Sequence, residues 1–275
     1  MRRRDFLRLT VALAAATQFD SLYAAKLNPI GVQLSSIPDE LVRDLPGAFA
    51  SLAAIGFREV EAWLPRGQTF DAVAMRKALD ANRLTAPSRH WSSWDLRPDM
   101  LDRVLKDAEI LGNRYVINSA LPADQRAKLD SYKRAADWFN DIGRSARERG
   151  VQFGFHTERW DFQSLDGVTP FDYLLEHTDS NLVKFQLDTG HMVRERRDPR
   201  GYLAKYPGRF VSLHLKDADS AQQLVAAGKG IVDFRAVLKA SKGAGISHFF
   251  IENERPGLGF DHVRNDFRYF QALEF

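Results

Sequence analysis

Cysteine is absent from all 275 residues. The chain therefore has no disulfides and no thiolate ligands, and any metal site in it must be assembled from imidazoles and carboxylates. Low-complexity tracts, coiled-coil repeats and Pro- or Ser-rich linkers are also missing, so nothing in the pattern divides the chain after its first 25 residues. Beyond those residues no basic run of the kind that tracks a phosphate backbone occurs, which argues against a nucleic-acid partner. No G-x-G-x-x-G turn follows the first strand-like segment, and this counts against an open, doubly wound dinucleotide-binding sheet.

What is present begins with a leader. Residues 1–8 are basic, Leu9 to Ala16 is apolar, and small residues follow at Ala24 and Ala25. The apolar stretch is too short to cross a bilayer as a helix. Arg3-Arg4-Asp5-Phe6-Leu7-Arg8 resembles the twin-arginine export motif. The resemblance implies passage through the twin-arginine translocase and a periplasmic or otherwise exported location, with residues 1–25 as signal and 26–275 as the mature domain. Four of the 39 basic residues (Arg2, Arg3, Arg4, Arg8) and two of the 36 acidic ones (Asp5, Asp20) lie in that leader, so its removal lowers the formal charge from +3 to +1.

Hydrophobic residues make up 44% of the chain and charged ones 27%, enough for one large core. From Lys26 onward, apolar, β-rich runs predict strands at 30–34, 58–63, 84–90, 114–118, 151–156, 182–188, 210–215 and 247–252. Helical patterns fall at 40–55, 70–81, 98–111, 123–149, 170–177, 199–206, 234–243 and 262–273, several ending on a glycine suited to a left-handed cap. Eight strand and helix units in about 250 residues predict an α/β fold, a single-domain (β/α)8 TIM barrel.

Four of these strands end abruptly in groups that bind metals or move protons. They are Val151 to His156 with Glu158, Leu182 to Asp188 with His191, Phe210 to His214 with Lys216, and His248 to Glu252. Parallel barrel strands share one C-terminal face, so His156, Asp188, His214 and Glu252 converge there from neighbouring staves. Two imidazoles and two carboxylates suit one divalent ion such as Mn, Co, Zn or Mg. Trp63, Trp91, Trp94 and Trp160 lie just past strand ends, where aromatic faces stack on sugar rings or simply pack loops.

The chain resembles the xylose-isomerase-like barrel superfamily, in particular its sugar phosphate isomerase/epimerase group. The marks are Ile30-Gly-Val-Gln-Leu34, Gly56-Phe-Arg-Glu-Val-Glu61, Pro87-Ser-Arg-His90, Leu187-Asp-Thr-Gly-His191, Leu213-His-Leu-Lys-Asp217 and Gly228-Lys-Gly-Ile-Val-Asp-Phe234, in that order. The resemblance implies a metal held by a strand-five Glu, a strand-six Asp, a strand-seven His and a strand-eight Glu. Asp188, His214 and Glu252 match the last three. Strand five departs: Phe155-His-Thr-Glu158 makes His156 the first choice of ligand and Glu158, two residues on, the second.

In relatives that isomerise or epimerise sugars, the two glutamates move protons on either face of the substrate. The resemblance thus implies metal-assisted proton abstraction beside a carbonyl through an enediolate, with Glu158, Glu252 and His191 as proton-transfer groups. Glu61, His90, Lys216 and Trp160 are the candidate contacts to a sugar or keto-sugar. The same chemistry serves dehydratases and lyases that cleave 3-keto-glycosides, and the sequence leaves these open as alternatives. A non-catalytic sugar-binding barrel and a relative of abasic-site endonucleases are further alternatives, the latter needing extra His and Asp ligands and a basic face.

Overall fold

The computed structural model describes residues 25–275 apart from Arg66 and residues 255–258. The leader expected at residues 1–25 lies, except for Ala25, outside the described residues. Eight parallel strands close into a barrel: β1 (Gly31–Gln33), β2 (Glu59–Ala62), β3 (Thr85–Trp91), β4 (Tyr115–Asn118), β5 (Gln152–His156), β6 (Val183–Asp188), β7 (Phe210–Leu215) and β8 (His248–Ile251). Each strand pairs with its neighbours in sequence, and β8 returns to β1 through Gly31 beside Phe250 and Val32 beside Ile251. The predicted single-domain TIM barrel is what the chain forms.

Strand alternation decides which side chains turn inward. On β5, Phe153 and Phe155 lie against Phe139 with ring centroids 5.3 and 4.9 Å apart, so Gly154 and His156 face the barrel axis. On β6, Phe185 packs on Phe171 at 5.2 Å, leaving Gln186 and Asp188 inside. Gly154 leaves room inside the barrel, since a Cβ there would stand 2.6 Å from Ile117 Cδ1. The outer layer carries most of the apolar packing, and truncating a buried ring such as Phe139 to Ala would cost about 3–5 kcal/mol.

The helices are α1 (Pro38–Arg43), α2 (Leu45–Ile55), α3 (Ala72–Ala81), α4 (Leu101–Leu111), α5 (Leu129–Glu148), α6 (Pro170–His177), α7 (Thr189–Arg194), α8 (Pro199–Lys205), α9 (Phe234–Ala244) and α10 (Gly259–Ala272). The single helix expected at 40–55 is two. Asp44 leaves helical geometry, caps the Gly47 N–H at 3.0 Å, and Pro46 starts a new first turn. The helix expected from Ala123 begins at Leu129, after a short 3-10 turn. A short antiparallel ladder, Asp217–Ala218 with Leu224–Val225, follows β7. Asp217 accepts backbone N–H bonds from Ala218, Gly228, Gly230 and Val232, so the glycine-rich segment at 228–234 is a turn gathered around one carboxylate.

Inside the barrel the middle is polar, where branched apolar layers are common in this fold. Gln33, Glu61, Ser88, Gln186, Ser212 and His214 are all buried there. Buried polar groups are tolerable only when paired. The Gln186 amide donates to Glu61 at 2.9 Å and to Ser212 Oγ at 2.8 Å, which joins opposite walls of the barrel.

Candidate functional site

Register sets the site. Asp188 lies beside His214, His214 beside Phe250, and His156 beside Gln186, so the ends of β5 to β8 are level at one rim. One donor atom from each of His156, Asp188, His214 and Glu252 lies within 4.8 Å of the others, and all four residues are buried. His156 Nδ1 meets the Ser119 carbonyl at 3.1 Å; a carbonyl only accepts, so Nδ1 carries a hydrogen and Nε2 is the nitrogen left toward the other three residues.

Asp188 uses one oxygen as the N-cap of α7, accepting from the His191 backbone N–H at 2.8 Å. Its other oxygen, Oδ2, meets the Lys216 ammonium at 3.0 Å, whereas His156 Nε2, 3.7 Å away, is buried without a hydrogen bond. Buried polar atoms are rarely left so. A divalent ion bound by two imidazoles and two carboxylates would satisfy His156 Nε2, and the residues present fit such a group.

His214 is held at both edges: Nδ1 is 2.7 Å from Glu252 Oε2 and Nε2 hydrogen bonds Glu61. Burial opposes charge on this ring, but the Glu252 and Glu61 carboxylates overcome it and raise its pKa to about 10. Glu61 is fully buried and also accepts from Gln33 Nε2 at 2.8 Å and Ser88 Oγ at 2.6 Å. Burial works against its charge too, yet His90 and His214 hold it down at about 2. The sequence suggested Glu61 as a substrate contact. The structure places it behind His214, with both oxygens occupied by protein.

His90 pairs with Gln186 Oε1 at 2.7 Å and stacks on His214 at 5.2 Å between centroids. Burial lowers its pKa to about 4, so its ring is neutral at ordinary pH. Lys216 reaches the site past Gly190, where a Cβ would lie 2.7 Å from Lys216 Cγ. Its ammonium stands 3.0 Å from Asp188 Oδ2, 2.7 Å from Glu252 Oε2 and 3.0 Å from Glu254 Oε2. Burial disfavours that charge, and Asp188 and Glu252 outweigh burial to push its pKa up.

Glu158 does not join the four-residue group. Its carboxylate lies 3.0 Å from His191 Nε2. Burial raises the Glu158 pKa, but His191 more than offsets this and keeps it ionised; His191 is raised in turn, with Asp188 and Glu158 outweighing burial. A cavity of about 180 Å³ opens over the group and is lined by His90, His156, Glu158, Lys216 and Glu252, with Trp63 at its side. Trp160, expected to meet substrate, stands away from it and is covered by the Arg126 guanidinium, 3.7 Å from its ring centre.

Sequence reasoning gave no role to Ser35, Ser119, Gln186 or Glu254. Ser35 Oγ donates to Glu252 Oε1 at 2.9 Å. Gln186 was findable, because it lies two residues before Asp188 and shares its inward face.

Residues 49–273 match the family described as Xylose isomerase-like TIM barrel. The chain belongs to the xylose isomerase-like TIM barrel family. As a member of this family it is similar to the inosose dehydratase of Clostridium beijerinckii, 26% identical over 213 residues that span 69% of each protein. The match to the inosose dehydratase of Clostridium perfringens is 29% over 111 residues, 40% of this chain and 33% of that one. Among solved structures, a sugar phosphate isomerase/epimerase from Parabacteroides distasonis superposes with a TM-score of 0.78 at 22% identity, covering 92% of this chain and 97% of that one. An IOLI protein with a bound zinc atom gives 0.69 at 13% identity, covering 88% and 96%. At these identities the superpositions establish the shared barrel.

Proposed function

We propose that this protein is a divalent-metal-dependent enzyme of the isomerase or epimerase type. It takes a proton from the carbon beside the carbonyl of a sugar-like substrate and returns one. The observation that carries the reading is His156 Nε2, buried without a partner on a residue that is grouped with Asp188, His214 and Glu252. His156 and Glu252 line the cavity that Glu158 also lines, with Asp188 and His214 beneath them in the group.

His156, Asp188, His214 and Glu252 would hold the ion. The chemistry that Mn, Co, Zn or Mg would supply there is polarisation of a carbonyl, which would favour loss of the neighbouring proton. The electrostatics support a cation: the Glu61, Glu158, Asp188 and Glu252 carboxylates outnumber the Lys216 ammonium and the charged His214 ring, whose proton an ion would displace.

The chain's own residues move the proton. Glu158, kept ionised by His191, is the base on the β5 side. Glu252, steadied by Ser35 and Lys216, faces the same cavity from the β8 side. Two carboxylates from different strands on one cavity suit removal of a proton by one and its return by the other, and such transfer contributes a typical factor of about 10² to 10⁴. His191 passes the proton to and from Glu158, Lys216 offers charge to a substrate oxygen, and neutral His90 is placed to hydrogen bond a hydroxyl.

A second reading is dehydration by the same first step followed by loss of a β-hydroxyl. The inosose dehydratase similarity over 69% of the chain favours it. For location we propose export, on the strength of Arg3-Arg4-Asp5-Phe6-Leu7-Arg8. Replacing Arg3 and Arg4 together by Lys would then strand the folded enzyme inside the cell, and an unchanged periplasmic yield would contradict the export reading.

The reaction is tested by incubating metal-loaded protein in D2O with pentuloses, hexuloses and inososes. Isomerisation or epimerisation gives deuterium in recovered sugar, and dehydration gives a product lighter by one water. Neither outcome with any of these compounds would overturn the proposal.

A further inference from the structure

The catalytic cavity is small for a ligand site. Pockets that bury small molecules run to roughly 300–1,000 Å³, whereas this one measures about 180 Å³. A second cavity of about 870 Å³ adjoins it, and the two share Trp63, His90 and Ser119 as common wall. Phe70, Trp91 and Trp94 supply aromatic surface to the larger space, and Trp94, 62% exposed, stands at its mouth.

Strand alternation places Arg89, next to inward-facing His90, on the outer side of β3 and in this second cavity. Its guanidinium is sandwiched between the Phe70 and Trp91 rings, with Cζ 3.2 and 3.6 Å from their centres. Arg89 is only 8% exposed, and its Nε and Nη1 are buried without a hydrogen-bond partner. Among the described residues no group accepts a hydrogen bond from any of its nitrogens.

The charged neighbours are Asp95, Asp107 and Arg103. Asp95 is engaged by Ser92 Oγ at 2.6 Å and lies 3.5 Å from Arg103, and neither it nor Asp107 bonds Arg89. A buried charge without a hydrogen-bonding partner is costly and is ordinarily paired. Burial is the main cause that lowers the Arg89 pKa to about 9, as expected for a charge short of compensation.

We propose that this second cavity binds a ring bearing a carboxylate, joined to the sugar unit whose carbonyl enters the catalytic cavity, and that Arg89 pairs with that carboxylate. The substrate class is then a keto-glycoside with an acidic aromatic or second-ring substituent. Trp94, exposed at the mouth, offers an aromatic face for that ring, the Phe70 and Trp91 rings being taken up by Arg89. The guanidinium fork matches a carboxylate, and Asp95 and Asp107 disfavour a more highly charged phosphate. The shared wall lets one molecule reach both spaces. The class of substrate rests on the proposed carbonyl chemistry; the binding of the carboxylate ring does not.

The test is equilibrium binding without turnover, in the presence of a chelator, read by calorimetry and tryptophan fluorescence. Two probes are compared, 4-carboxyphenyl β-glucoside and phenyl β-glucoside. Wild type is expected to favour the carboxylate by roughly 10- to 100-fold, the range of a charge-assisted hydrogen bond. Arg89→Met should erase that preference, and Arg89→Lys should keep part of it, with circular dichroism confirming that each variant is folded. Equal affinity of wild type for the two probes, an unchanged preference in Arg89→Met, or displacement of the carboxylate probe by millimolar inorganic phosphate would overturn the proposal. Because no proton transfer is involved, a failed D2O experiment leaves this result standing. A lost carboxylate preference alongside successful deuterium exchange would sink the second cavity alone.

Discussion

Glu61 on β2 holds the Nε2 edge of His214 on β7 from across the barrel, turning Nδ1 toward Glu252 and the neighbouring donors. A carboxylate behind a ligating imidazole fixes ring orientation and raises basicity, and its loss typically weakens metal affinity by about 10- to 100-fold. Glu61→Gln keeps the shape and removes the charge. Calorimetric titration with Mn²⁺ or Zn²⁺ should show affinity down by that factor with the fold intact, and wild-type affinity would mean that Glu61 serves packing alone.

Glu158 sits outside the four-residue group but inside the cavity, against His191. Glu158→Gln should therefore leave bound metal and KM near their wild-type values while kcat falls by about 10² to 10⁴. Steady-state kinetics with metal analysis separates this from a ligand role, in which metal would be lost together with activity.

Asp161 lies behind Glu158, accepting from Tyr132 Oη at 2.6 Å and from the Glu158 backbone N–H at 2.8 Å. Burial pushes its pKa up to about 7 from 3.8. Between those values the folded state keeps a proton that the unfolded chain has lost. The stability this group contributes is complete below the unfolded pKa and is lost as pH rises to about 7, on the order of 4 kcal/mol in all. Urea unfolding from pH 4 to 7.5 should show wild type losing ground to Asp161→Asn across that window. A gap that does not change with pH would contradict the shift.

The barrel was legible because its strands announce themselves. Phe153 and Phe155 alternate with Gly154 and His156, and charged residues cluster where each apolar run stops. Parallel topology then carried His156, Asp188, His214 and Glu252 to one rim. Less visible were features that depend on distance across the barrel. Nothing local in Gly56-Phe-Arg-Glu-Val-Glu61 says that Glu61 ends under His214 and not at a substrate.

Trp160 read as a stacking surface because it follows a strand, and only the fold brings Arg126 over its face. Arg89 drew no notice beside His90, since a missing hydrogen-bond partner is a property of the packed structure. The break between α1 and α2 could have been read from Asp44-Leu-Pro-Gly47, where a capping carboxylate precedes a proline, although the amphipathic pattern runs through it.

The central claim is that the ends of β5 to β8 form one divalent metal site. Calorimetric titration of chelator-stripped protein with Mn²⁺ or Zn²⁺ tests it most directly, with Asp188→Ala and His214→Ala measured alongside. The expected result is one ion per wild-type chain, with thermal stabilisation worth about 2.7 kcal/mol at a hundredfold excess over Kd, and no binding by either variant. Wild-type stoichiometry retained in Asp188→Ala and His214→Ala would contradict the account.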